Sequence, residues 1–123
     1  MYGRERMRTD RIIGLIESAR LDLSDEKRLQ ADLAVVLTDS GIQFTRELVL
    51  SARDIPDFLT DDGTTIECKL RPAQKTAVYR QLQRYASHTE VTSIILATNL
   101  SMTLPATING KPAYMASLSK GWL

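Results

Sequence analysis

Asp57, Glu67 and Lys69 are the residues of this chain whose types and spacing point to chemistry. Pro56-Asp57 precedes the turn-forming run Thr60-Asp61-Asp62-Gly63, and Glu67-Cys68-Lys69 follows it. A carboxylate, a second carboxylate and a lysine two residues on are thereby set across a predicted β-hairpin. Two hard oxygen donors suit a divalent cation, and a neighbouring ammonium suits the charge of a phosphate. The same residues also suit a cross-strand salt bridge on an exposed sheet face, so spacing alone leaves both readings open.

The elements that would position these groups follow from periodicity. Thr9 to Ala19 carries Ile12, Ile13, Leu15, Ile16 and Ala19 at helical spacing. Ile13 falls off the Ile12–Ile16–Ala19 line, so this helix is apolar on more than one side and could serve dimerisation. Ser24 suits the N-cap of a second helix running to about Thr38, with a stripe of Leu29, Leu33, Val36 and Leu37. Gly41 suits the left-handed position behind it.

Ile42 to Leu50 reads as a strand, Ile55 to Leu59 as a short second one, and Thr64 to Leu70 as a third. In that third strand Ile66, Cys68 and Leu70 share one face, and Thr65, Glu67 and Lys69 the other. Pro72 suits the first turn of a helix over Ala73 to Ser87, whose buried face is Val78, Leu82 and Tyr85. His88 stands at its end, where capping is the ordinary role. Val91 to Thr98 is apolar enough for a central strand. After a loop with Pro105 and Asn109-Gly110, Pro112 to Leu118 gives a fifth. The predicted order is ααβββαββ: an α/β (α+β) domain over residues 1–123 with a mixed sheet of about five strands flanked by helices.

Composition bounds the function. The chain has 123 residues, 43% of them apolar and 25% charged, which is ordinary for a globular domain. One cysteine and one histidine leave no internal disulfide and no clustered zinc site. No run is long enough to span a membrane, and no apolar signal region follows Met1–Arg6, so a cytoplasmic location is expected. The net charge of +1 is a weak footprint for nucleic acid, although a carboxylate-rich site lowers that total. Phosphate-binding glycine loops and nucleophile elbows are absent.

Pro56-Asp57 followed by Glu67-Cys68-Lys69 resembles the PD-(D/E)XK nuclease superfamily, whose core is restriction-endonuclease-like. The Asp-to-Glu separation is similar to that of small junction-resolving phage nucleases. The resemblance implies Asp57, Glu67 and the Cys68 carbonyl as ligands of Mg2+, with Mn2+ able to substitute, and Lys69 as the group that orients the attacking water. The Cys68 side chain is read as a small buried apolar group. Family members add a glutamate from the helix before the sheet. Glu26 is the candidate, because at 100° per residue it lies over Leu33 and Leu37; it also suits a first-turn acid facing the helix dipole. Gln30, beside that stripe, is a weaker candidate. Gln81-Leu82-Gln83-Arg84-Tyr85 resembles the Gln-x-x-x-Tyr motif of the helicase-nuclease branch, although Tyr85 equally suits the core. Arg53, Arg71 and Lys75 are further substrate candidates.

The implied function is a Mg2+-dependent DNA endonuclease acting on junctions or branched DNA, working as a homodimer in a bacterial or phage-infected cell. A phage or mobile element would suit so small a nuclease. An exonuclease or nicking enzyme of the same superfamily is the alternative. A non-catalytic DNA-binding or protein-binding module is the alternative of another class.

Overall fold

The computed structural model describes residues 2–123, with side chains from Met7 onward. The described order is α1 (Tyr2–Ser18), α2 (Glu26–Asp39), β1 (Phe44–Arg46), β2 (Phe58–Thr60), β3 (Thr64–Lys69), α3 (Lys75–Ala86), β4 (Ser93–Thr98), β5 (Thr107–Ile108) and β6 (Lys111–Ser117), with a 3-10 turn at Lys120–Trp122. The six strands form one mixed sheet in the order β1-β2-β3-β4-β6-β5. β1, β2 and β3 are antiparallel neighbours; β3, β4 and β6 run parallel. α3 makes the crossover between β3 and β4 that a parallel pair requires.

Alternation along the central strands sends side chains to two cores. Ile66, Cys68, Ile95 and Ala97 face α1 and α2, packing with Ile12, Ile16, Leu29, Leu33 and Leu37. Ile94 and Leu96 face α3, packing with Val78, Leu82 and Tyr85. Both faces of β3 and β4 are covered, so these strands are buried almost throughout; β4 is mostly apolar, whereas β3 buries Thr64, Thr65 and Glu67 as well. Glu67 is the buried charge in the middle of that arrangement. Among the described residues no helix is long and apolar enough to cross a membrane.

Several elements differ from the sequence expectation, each for a local reason. α1 begins well before Thr9. Ser24 does not cap α2: Asp25 takes the N-cap position, and Ser24 donates its amide and hydroxyl to Asp22 Oδ1 instead. β1 stops at Arg46 because Glu47 has φ 53°, a left-handed residue that ends the extended path. The expected strand over 42–50 therefore becomes a short edge strand and a loop. Pro72 precedes α3 rather than opening it; Arg71–Pro72 is cis and Gln74 is the N-cap. A sixth strand appears because Asn109 (φ 49°) and Gly110 (φ 78°) form a two-residue hairpin turn between β5 and β6. Pro112 is tolerated at the start of β6 because pairing with β4 begins only at Ala113.

The β2–β3 turn is tied to the start of β4. Thr92 donates its amide to the Gly63 carbonyl at 2.8 Å and its hydroxyl to the Asp62 carbonyl at 2.8 Å. Gly63 has φ 90°, and a methyl there would stand 2.7 Å from the Glu90 carbonyl oxygen and 2.9 Å from the Thr92 side chain. Gly63→Ala should therefore cost about 1–3 kcal/mol, the range of a strained backbone position. A denaturant midpoint equal to wild type would refute this account of the turn.

Candidate active site

The register Phe58↔Ile66 and Leu59↔Thr65 extends one step to place Asp57, just before β2, opposite Glu67 on β3. The two residues clasp each other through main-chain amides. The Asp57 N–H donates to Glu67 Oε1 at 3.1 Å, and the Cys68 N–H donates to Asp57 Oδ2 at 2.8 Å. Lys69 Nζ lies 3.3 Å from Glu67 Oε2. Glu67 is only 2% exposed, whereas Lys69 keeps a half-buried side chain. The three residues predicted from the sequence are thus brought together, at the carboxyl ends of β3 and its parallel neighbour β4. In open α/β sheets that is the usual place for a ligand.

Burial dominates the electrostatics. Loss of water pushes Asp57 up from its ordinary 3.8 to about 6, despite the Cys68 amide and the Lys69 charge, with Glu26 and Glu47 adding to the rise. Burial first, and the Asp57 charge second, push Glu67 from 4.5 up to about 7 against the opposing pull of Lys69. Burial followed by the Glu67 and Asp57 charges likewise raises the Tyr85 hydroxyl. Two carboxylates thus face one ammonium in a poorly solvated site, a combination that favours protonation or an additional cation.

Among the described residues no group of three or more His, Cys, Asp or Glu is disposed to hold a metal ion. The carboxylate pair still fits a small hard ion. Mg2+ is commonly held by one or two carboxylates with waters completing its octahedron, rather than by an all-protein cage. Asp57 Oδ1 and Glu67 Oε2 are the oxygens not engaged by main-chain amides.

The remaining sequence candidates divide. Glu26 is exposed in the first turn of α2 rather than buried on its stripe, because the helix begins there and its first turn reaches past the packed core. Its charge is nonetheless felt at Asp57 and Cys68. Gln30 accepts from Arg46 at 3.0 Å. The Cys68 side chain is buried in the α1–α2 core, as its strand face required. Tyr85 is fully buried; its hydroxyl donates to the Ile55 carbonyl at 3.3 Å and accepts from Gln81 Nε2 at 2.8 Å. Arg53, Arg71 and Lys75 are exposed, and none contacts Asp57 or Glu67 among the described contacts.

Three features were missed by sequence reading. Glu47 adds a negative field at Asp57, and its amide donates to the Asp57 carbonyl at 3.1 Å. Arg46 stacks over Phe58 at 5.3 Å and its charge is felt at Cys68. Asp54 is buried in the 47–57 loop between Arg84 Nε on Oδ1 and His88 Nε2 on Oδ2, each at 2.9 Å. Burial alone would raise Asp54, but hydrogen bonds from His88, Arg84 and Ser51 outweigh it and hold the group below its ordinary value. His88 is therefore a partner of this loop rather than a helix cap. No short motif announces the cluster, since its members lie 30 and 34 residues apart.

No family model, no curated protein and no solved structure matches the chain.

The raised carboxylates set a pH dependence. The folded protein binds more protons than the unfolded chain between roughly pH 4 and 7, so stability falls as pH rises through that window. Asp54 acts oppositely, and only below its ordinary 3.8. Metal-free protein should therefore melt higher at about pH 5 than at about pH 8, and Asp57→Asn should flatten the profile. Equal melting temperatures across that range would show that the pair is solvated and not mutually strained.

Proposed function

We propose that this protein is a Mg2+-dependent DNA endonuclease on a restriction-endonuclease-like core, cutting junctions or branched DNA. The observation that carries this reading is the pairing of buried Glu67 with half-buried Asp57, Lys69 beside them, at the carboxyl end of parallel strands. The sheet supports it: antiparallel β1–β3 lead into parallel β4 and β6, with α1 and α2 on one face and α3 on the other.

Asp57, Glu67 and the Cys68 carbonyl would hold Mg2+, or Mn2+ in its place. When bound, the ion would neutralise charge on the phosphodiester and make a better nucleophile of water. The chain's own groups do the rest. The crossed amide bonds fix both carboxylates before substrate arrives, which spares reorganisation during the reaction. Relief of the Glu67 contact would free the Lys69 ammonium to orient water and to face charge developing on the phosphate. Gln81, which donates to the Tyr85 hydroxyl, would touch the substrate. Glu26, at the mouth of the site, would act through its charge.

A small domain of this kind suits a phage or mobile element, and pairing of two copies would cut a branched substrate on two strands. Ile13 and Leu15 of α1 pack on their own core yet keep part of their surface exposed. The homodimer is decided by light scattering on wild type and Ile13→Glu: a wild-type dimer that the variant dissociates supports pairing, and a wild-type monomer at micromolar concentration excludes it.

The activity is tested by incubating purified protein with branched, single-stranded and linear duplex DNA, with and without Mg2+ or Mn2+. Metal-dependent cutting of the branched substrate is the expected result. Trimming from ends would shift the reading to an exonuclease, and bound but uncut DNA would support a non-catalytic module. The Glu67–Lys69 ion pair, which could itself be a purely structural contact, keeps that last reading in view.

Asp57→Asn and Glu67→Gln should each abolish cleavage while DNA affinity holds or rises, because negative charge beside phosphate is lost. Lys69→Ala should slow cutting by at least about a hundredfold, the usual loss on removing one preorganised electrostatic group. Normal rates in all three variants would overturn the site.

A further inference from the structure

A groove of about 390 Å3 opens beside Lys69 and runs along α3. Its charged lining is Lys69, Arg80 and Arg84; no acid and no aromatic ring lines it, and no acid stands in the first turn of α3. In a chain with nearly equal numbers of acids and bases, an acid-free groove touching a carboxylate site is a sharp local asymmetry. Ala77 and Val78 give it a small apolar floor, and Gln81 joins it to the site through Tyr85.

Arg84 is held in place. Its Nε donates to Asp54, whose other oxygen is taken by His88, and the Asp54 side chain is 8% exposed. Asp54 offsets part of the Arg84 charge, so the exposed Arg80 carries the larger share of the groove's attraction for an anion. From Ala77 to Arg84 the helix advances about 10 Å at 1.5 Å per residue. A stripe of that length is long enough to face more than one phosphate of a single strand.

We infer that this groove binds the sugar–phosphate backbone of one substrate strand next to the scissile phosphate, with Arg80 and Arg84 as contacts and Asp54 as the residue that positions Arg84. This rests on the nuclease reading and deepens it. With cations as its only charged lining and no ring to stack on bases, the groove reads the backbone rather than the base sequence.

The test measures binding of fluorescein-labelled DNA oligonucleotides of two unrelated sequences in metal-free buffer across a salt series, so that nothing is cut. Wild type should bind both sequences alike. Arg80→Ala should bind both several-fold more weakly, with the slope of log affinity against log salt reduced by about one. Arg28→Ala, which removes an exposed cation of α2 on the opposite face of the sheet, should change neither. Arg80→Ala leaves a solvent-exposed position and spares the Asp54 cluster, so its folding is secure; matching circular dichroism checks it. Wild type that binds, with Arg80→Ala retaining the same affinity and slope, overturns the groove alone. Wild type that neither binds DNA nor cuts it with Mg2+ overturns the groove and the nuclease reading together.

Discussion

Two carboxylates share one poorly solvated site, and the surrounding structure is organised around that constraint. Burying a charge is costly unless it is paired and hydrogen-bonded. Here the relief comes from the backbone itself: the amide of Asp57 serves Glu67, and the amide of Cys68 serves Asp57. The exchange works only if Asp57 stands opposite Glu67. A one-residue slip of β2 against β3 would break both bonds and turn Phe58 out of its core. Hairpin register, core packing and site geometry are therefore one requirement.

The loop that delivers Asp57 is irregular from Glu47 onward, and irregular backbone needs external support. α3 supplies it in two places. Tyr85 reaches the Ile55 carbonyl, and Arg84 with His88 holds Asp54. Lys111 Nζ in turn donates to the His88 carbonyl, tying the cluster to β6. The helix that follows Lys69 in sequence thus fixes the loop that precedes Asp57, closing the site from both ends.

This arrangement also separates two kinds of charge. Acids gather at the mouth around Asp57, where Glu26 and Glu47 contribute to the field. Bases line the groove along α3. On the nuclease proposal, the first would draw the cation and the second the phosphate chain. The net charge of +1 hides this polarity, because it sums 16 bases and 15 acids over the whole chain.

Local rules carried the sequence reading where neighbours in the chain decide the outcome. Period-two alternation placed Cys68 in the core and Glu67 on the opposite face of the strand, and Asp62-Gly63 placed the hairpin that joins Asp57 to Glu67. The stripe Leu29–Leu33–Leu37 gave α2 its buried face. What the sequence left open are matters of distant contact. Asp54, Arg84 and His88 meet only because α3 folds back over the loop, and no spacing encodes that meeting. Glu26 follows the buried line of its helix, yet it lies where the helix has outrun the core, so tertiary packing leaves it in water. Burial itself, which raises both carboxylates, belongs to the packing of helices on both faces of the sheet and not to any one residue in it.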